Sequence, residues 1–530
     1  MCCRIAGSVN IPEWAHYAIE RQHRGGPDGN GHYTTWGKNF HPQIEIGHNR
    51  LSILDLSTNG DQPMRSSNGR YSITYNGEIY NFKELLSNAT NDTQVILHSF
   101  QEIGISETVD RMVGMFSFGV VDEVDKKIHC YVDRMSEKPV YYFHEGNKFA
   151  FASSPAPLIK LKEKWKLNRK ALESYWYLGS TFGEDTLFDG IKKLMPAHHL
   201  TYDINANTIT IERYWKPTLQ EKTDDIEEHI LSAIQAVKVA DVPVNIFLSG
   251  GVDSTLVASQ FAGYGAVHMD SPELEYAQTA AQRFGLNLIQ VQSNTVDSLK
   301  CLRDYATECA EPSMAALIPY ITSEQATKHG KVAITANGAD ELFFGYDRHQ
   351  WNTHKQMRHI FRPGFEQLYT EMFVKWFNID LDIAETGGKR WFELVTYVAF
   401  DLNKTLDFAS MCHGLEVRAP FLNHKLVEKA LSIPQEKHFS PRFGPKSILK
   451  KMLSQMGFSD QFLTRPKLGF SLHNPPTDLD GLKKDAYQWA KENNFVSLDE
   501  SQFNQRDWNY THAAAIGFKA FWDVHSSKFE

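Results

Sequence analysis

The chain is 530 residues long, past the roughly 250–300 at which a single hydrophobic core stops growing, so two domains are expected. It is 42% hydrophobic and 22% charged, a globular composition with no tract of disordered type. A net charge of −9 and a pI near 6.2 exclude an electrostatic footprint for a nucleic-acid backbone, and no apolar run nears the roughly 18–20 residues that span a bilayer.

Pro12, Glu13 and His16 interrupt the first twenty residues, which leaves no apolar signal-peptide region and reads as a soluble, cytoplasmic chain. The first 200 residues carry short strand-like runs at Ile44–Ile46, Tyr71–Tyr75, Met115–Val121, Lys127–Val132 and Lys148–Ala152, with turn signals such as Asn76-Gly77 between them. This predicts an α+β layer structure dominated by antiparallel sheet. The texture changes near Tyr214–Asp225. Glu227–Val239 has helical spacing, Val242–Leu248 reads as a buried strand, and a Gly-rich turn leads to a helical stretch from Ser254. Ala266–Met269 and Val332–Thr335 repeat the apolar strand followed by polar loop and helix. Such alternation implies a doubly wound parallel sheet with ligands at the carboxyl ends of its strands. After about Asp478 the chain is charged and aromatic and reads as helical. The expected division is 1–213, 225–480 and a C-terminal extension over 481–530.

Six cysteines, at 2, 3, 130, 301, 309 and 412, are too sparse for a disulfide framework and lack zinc spacing. Cys2 and Cys3 stand apart by position. Removal of Met1 would give Cys2 both a thiol and a free α-amine of pKa near 8, a built-in general base. Taken alone, an incidental thiol is the commoner explanation. Arg50, in Gly47–Ser52, could clamp an amino-acid carboxylate bidentately. Asn76 offers an amide and Gly77 a backbone N–H, the parts of an oxyanion hole, although Asn-Gly is equally the signature of a hairpin turn. Glu78 and Asp92 could hold a substrate ammonium.

Further on, Val244–Leu248 runs directly into Ser249-Gly250-Gly251-Val252-Asp253-Ser254. A strand opening through two glycines onto a helix surrounds an anion with N–H groups, and the absence of Gly-Lys-Ser/Thr argues against a Walker A loop. Alone, such a loop is more often a plain turn. Asp340 and Glu341 follow the strand Val332–Thr335, where a Mg²⁺ on a triphosphate would need oxygen ligands; an exposed acidic helix start is the alternative. Lys446 and Lys467 are candidate cations for pyrophosphate and the developing adenylate charge, though a single lysine is more often solvated.

Cys2/Cys3, His23–Asp28, Gly47–Leu54, Tyr75–Tyr80, Asn91–Gln94 and Asp133–Tyr142 resemble class II N-terminal-nucleophile glutaminases. Ser249–Ser254 resembles the pyrophosphate loop of ATP pyrophosphatases. With Thr186–Pro196, Leu415–Leu422 and Arg465–Phe470, the whole to about residue 480 resembles the glutamine-hydrolysing asparagine synthetase family. The resemblance implies a glutaminase domain of sandwiched antiparallel sheets and a synthetase domain of the ATP pyrophosphatase type. It implies glutamine binding by Arg50, Leu51, Asn76, Gly77, Glu78 and Asp92. Asn76 and Gly77 would form the oxyanion hole. Phe247, Leu248 and Val267 would line an adenine pocket. Ser249, Gly250, Gly251, Asp253, Ser254, Thr335, Ala336 and Lys446 would surround ATP, with Asp253 and Asp340 on Mg²⁺ and Lys467 on the reacting intermediate. The partners implied are glutamine, ATP and a carboxylate acceptor, aspartate first, with a homodimer as the expected assembly.

Two departures matter. The family reads Met-Cys-x-Ile-x-Gly where this chain has Met1-Cys2-Cys3-Arg4-Ile5-Ala6-Gly7, so Cys2 holds the nucleophile's place counted from the start and Cys3 counted back from Ile5; Cys2 is the first choice, because it keeps the amine after Met1 is removed whereas Cys3 would need Cys2 trimmed as well. Asn337 stands where an acidic residue is usual, and an amide cannot serve as a base. The alternatives to asparagine synthesis are therefore a different carboxylate acceptor, an intramolecular lactam synthetase, or a binding protein without turnover.

Overall fold

The computed structural model describes residues 3–35, 43–219, 224–292, 296–350, 388–466, 475–476, 479–496, 498 and 500–530. Cys2 and Lys467 lie outside them. Seventeen strands organise the described residues into two antiparallel sheets and one parallel sheet.

The N-terminal domain is built from β1 (Cys3–Val9), β2 (Gly29–Thr35), β3 (Ile44–Arg50), β4 (Met64–Arg65), β5 (Tyr71–Ile79) and β6 (Gly114–Asp122). It continues through β7 (Lys127–Val132), β8 (Tyr141–Glu145), β9 (Lys148–Ala152), β10 (Ile191–Lys193), β11 (His198–Asp203) and β12 (Thr208–Arg213). One sheet runs β10-β8-β9-β1-β3-β2 and the other β12-β11-β7-β6-β5-β4. Their inner faces share a core of Ile5, Val9, Ile46, Val121, Ile128, Cys130, Phe149, Phe151 and Leu200. The Phe151 ring fits between the sheets because both neighbours are glycines: a Cβ on Gly7 would stand 2.3 Å from it, and one on Gly119 2.2 Å. This is the expected antiparallel sandwich.

One expectation is corrected here. Asn76-Gly77 is no turn but lies inside β5, with Asn76 opposite Ser117 and Gly77 opposite Phe116 on β6. The Asn-Gly signature assumes that the chain reverses; here the flanking Ile73, Tyr75 and Ile79 are all buried and continue one strand.

The second domain carries β13 (Val244–Phe247), β14 (Gly265–Met269), β15 (Asn287–Val291), β16 (Val332–Ile334) and β17 (Glu416–Arg418), ordered β15-β14-β13-β16-β17 and parallel throughout. The chain leaves β13 toward β14 and β15, then returns to its other side at β16. The order therefore reverses between β13 and β16, which opens a crevice at their carboxyl ends.

The helices Leu479–Glu492 and Gln505–His525 pack back on the body of the molecule. Phe518 meets Trp176 with ring centroids 5.6 Å apart, and Phe521 meets Phe188 at 5.8 Å. One apolar cluster runs from Trp165 and Trp176 through Tyr305 and Phe408 to these helices, so both domains and the C-terminal helices share a core. Among the described residues no helix is long and apolar enough to cross a membrane.

Candidate active sites at the thiol strand and the parallel-sheet crevice

The amide of Cys3 donates to Asn76 Oδ1 at 2.8 Å, and Cys3 stands opposite Arg50 in the β1–β3 register. Alternation along β1 puts Cys3 with Ile5, Gly7 and Val9 on one face and Arg4 on the other. Cys3 is wholly buried. Asn76 Nδ2 is also buried and has no hydrogen-bond partner among the described residues, so the amide presents a donor beside the thiol residue. Gly77 has φ +151°, and a Cβ there would lie 2.2 Å from Met115 O and 2.6 Å from Phe116 Cα. Only glycine fits, and its backbone is thereby held against β6.

Arg50 is anchored rather than loose. Its Nη1 donates to Ser57 O at 2.8 Å and to Asp61 Oδ1 at 2.7 Å, and its Nη2 donates to Asp55 O at 2.5 Å. The loop can wrap the guanidinium because Gly60 has no Cβ, which would otherwise sit 2.3 Å from Nη2. Leu51 beside it is buried. Asp92 opens the helix Asp92–Ile103 and accepts from Tyr75 Oη at 2.8 Å and Ile79 N at 3.1 Å, which ties it to both sides of the Asn76-Gly77 pair. Glu78 shares the face of β5 that carries Asn76, feels the charge of Asp92, and reaches the domain boundary, where Arg418 Nη2 donates to its Oε2 at 3.1 Å. His48 donates from Nε2 to Tyr75 O at 3.2 Å; burial pushes its pKa down to about 3, so the ring is a neutral spacer.

The second site forms at the crevice. Leu248 N donates to Val267 O at 2.9 Å, which places Phe247, Leu248 and Val267 along one rim. The loop that follows is held by its own hydroxyls: Ser249 Oγ lies 2.9 Å from Ser254 Oγ and accepts from Gly251 N at 3.2 Å. Gly250 has φ +90°, and a Cβ there would stand 2.8 Å from both Glu273 O and Ala277 N. Across the crevice, Thr335 and Ala336 leave the end of β16, and Thr335 Oγ1 donates to Asn337 Oδ1 at 3.0 Å. Asp253 from one loop and Asp340 from the other converge on Lys446, whose ammonium is ion-paired with both. Those two carboxylates hold the Lys446 ammonium well above the usual lysine range against the opposing effect of burial.

The structure thus gathers Cys3, Arg50, Leu51, Asn76, Gly77 and Asp92 at one place, with Glu78 beside them at the domain boundary. It gathers Ser249–Ser254, Asp253, Asp340, Lys446, Thr335 and Ala336 at another. Three contributors carried no assigned role in the sequence. Arg465 Nη2 donates to Gly250 O at 2.5 Å and lies 3.3 Å from Glu273 Oε1, which clamps the loop from outside. Arg418, ion-paired with Glu416, meets Glu78 across the domain boundary. Each stands in a segment the sequence singles out, Arg465–Phe470 or Leu415–Leu422, but a contact more than two hundred residues away leaves no local periodicity.

The sequence family described as glutamine amidotransferase domain matches residues 2–215, and that described as asparagine synthase matches residues 225–516. Asparagine synthetase (glutamine-hydrolyzing) 3 of Bacillus subtilis is 28% identical over 535 residues, covering 88% of this chain and 84% of that protein. The putative asparagine synthetase (glutamine-hydrolyzing) 2 of Methanocaldococcus jannaschii is 32% identical over 371 residues, 62% of this chain and 71% of its own length. Among solved structures, glutamine phosphoribosylpyrophosphate amidotransferase from B. subtilis matches with a TM-score of 0.30 and 14% identity, over 64% of this chain and 77% of that one.

Proposed function

The chain belongs to the asparagine synthase family, whose sequence pattern spans more than half of it, and from that premise we propose that it makes asparagine from aspartate, glutamine and ATP. A thiolate of the N-terminal segment attacks the glutamine carboxamide, ammonia leaves, and water resolves the thioester to glutamate. Asn76 Nδ2 and the Gly77 N–H face the oxyanion, and Arg50 takes the substrate carboxylate. At the crevice an oxygen of the acceptor carboxylate attacks the α-phosphorus of ATP and pyrophosphate leaves. Ammonia then attacks the acyl adenylate, and AMP departs.

The observation that carries the ATP half is the Lys446 ammonium standing between Asp253 and Asp340. That arrangement supports reading the two carboxylates as a cation site. No cluster of three or more His, Cys, Asp or Glu suited to a metal occurs among the described residues. Asp253 and Asp340 would therefore hold Mg²⁺ together with phosphate oxygens and water, the sharing this ion favours. Bound there, it would neutralise charge on the leaving pyrophosphate. Lys446 would pair with that same group, and the Ser249–Ser254 loop would orient it.

Asn337 supports a second reading on the acceptor alone. Its amide is engaged with Thr335 and cannot titrate, so a carboxylate acceptor other than aspartate fits the same chemistry. The test is AMP and pyrophosphate release with glutamine across a panel of carboxylates. Aspartate-dependent pyrophosphate supports asparagine synthesis, dependence on another acid supports the second reading, and ADP with phosphate overturns both.

A further inference from the structure

Arg418 occupies a position that neither site requires for its own chemistry. It ends β17, the edge strand of the parallel sheet, and is wholly buried with Glu416 and Glu78. Its Nη2 donates to Glu78 Oε2 at 3.1 Å and its Nε to Glu416 Oε1 at 2.5 Å. Its Nη1 donates to Val237 O at 2.8 Å and Val239 O at 2.6 Å, just past the helix Ile226–Ala236. The guanidinium is thus held by Glu416 and two backbone carbonyls as well as by Glu78, so a shift of Glu78 pulls against those contacts and on the Arg418 backbone that carries them. That backbone in turn supports the crevice: Arg418 O accepts from Thr335 N at 2.9 Å, the first residue past β16. Glu78 follows Asn76-Gly77 directly on β5, and Thr335 opens the loop that carries Asn337 and leads to Asp340.

We propose that Arg418 is the positioning residue that couples the two sites, so that occupancy of the thiol site at Glu78 sets the geometry of the 335–340 loop, and the reverse. This rests on the two-site reading above. A ligand ammonium arriving near Glu78 competes with the guanidinium for that carboxylate. In a buried, low-dielectric setting such a change is strongly felt and is not screened by water. Because linkage is reciprocal in binding, nucleotide at the crevice must alter glutamine affinity by the same factor.

The test uses the full chain, comparing wild type with Arg418→Lys and Glu416→Gln. Three quantities are read: glutamate release with and without ATP plus acceptor, pyrophosphate release driven by ammonium chloride, and the glutamate-to-pyrophosphate ratio with glutamine. Wild type is expected to hydrolyse glutamine several-fold faster when ATP and acceptor are present. Arg418→Lys is expected to lose that stimulation and to raise the ratio at least threefold, with ammonia-driven pyrophosphate within about twofold of wild type. Glu416→Gln, which removes a partner of the guanidinium, is expected to shift the ratio in the same direction; should Arg418→Lys fail to fold, it decides alone. Wild-type stimulation and ratio in the variants overturn the coupling. So does a wild type whose glutaminase ignores ATP, an outcome that leaves the proposed chemistry standing. Absence of pyrophosphate release from wild type with either nitrogen source fails the two-site reading itself.

Discussion

Lys446 reaches Asp340 through a gap that a glycine at position 345 leaves open: a Cβ there would stand 1.8 Å from Asp340 Oδ1 and 2.2 Å from Lys446 Cε. Lys446 also holds φ +58° at the start of the helix Ser447–Gln455, a left-handed conformation that a non-glycine residue keeps only under constraint. Gly345→Ala should therefore displace the lysine from the carboxylates. The expected result is a loss of pyrophosphate formation of about 100-fold or more, the scale of removing one preorganised electrostatic contact. ATP-independent glutaminase should persist. Steady-state assays of both half-reactions check it, and unchanged pyrophosphate formation refutes the role of the gap.

Asn76→Ala should separate the two nitrogen sources. Removing an oxyanion donor costs roughly 10²–10³ in turnover, so glutamine-dependent synthesis should fall by that factor while ammonia-dependent synthesis stays near wild type. Cys3 N also loses its acceptor, since Asn76 Oδ1 receives that bond. A modest fall in melting temperature is expected alongside. Equal losses with both nitrogen sources would place Asn76 in structure rather than in glutamine hydrolysis.

Much of this was legible in the sequence because it is local. The Gly-rich turn after Val244–Leu248, the strand–loop unit ending at Asp340 and the strands of the first 200 residues follow from short-range pattern. Asn76-Gly77 shows the limit from the other side: the turn signature gives the wrong local structure, because pairing with β6 overrides it. What the chain could not show is convergence. Lys446 lies 193 residues from Asp253, and Arg418 lies 340 from Glu78, so neither ion pair has a sequence spacing that announces it. The packing of the C-terminal helices onto Trp176 and Phe188 is of the same kind: their aromatic residues were visible but their target was not.

The Cys2/Cys3 question is open to direct labelling. In the structure it is Cys3 whose amide meets Asn76 and whose register partner is Arg50. A glutamine analogue that alkylates nucleophilic thiols, such as 6-diazo-5-oxo-norleucine, is expected to mark Cys3, in a chain whose Cys3 amine is free. Peptide mapping of the adduct and the intact mass of the N-terminus check both points. An adduct on Cys2 in a chain that lacks only Met1 would give Cys2 the role instead.

Asp401 contributes a part of the stability that falls as the pH rises through the weakly acidic range, and an isosteric substitution isolates it. Its carboxyl is buried, with Lys404 and Thr405 as the favourable neighbours, and burial wins: the pKa is pushed from 3.8 up to about 7. A raised carboxyl pKa means the folded chain still holds a proton that the unfolded chain has released. Stability from this group is thus full below about pH 4, declines from there to about pH 7, and is level beyond. The whole span is on the order of 4 kcal/mol, since each pH unit is worth about 1.4. Asp401→Asn keeps the shape and removes the proton. The variant should lose this slope, so that its stability relative to wild type is greater at pH 8 than at pH 5. Denaturant unfolding at the two pH values measures the difference, and parallel pH profiles for the two proteins would show that Asp401 is ionised throughout.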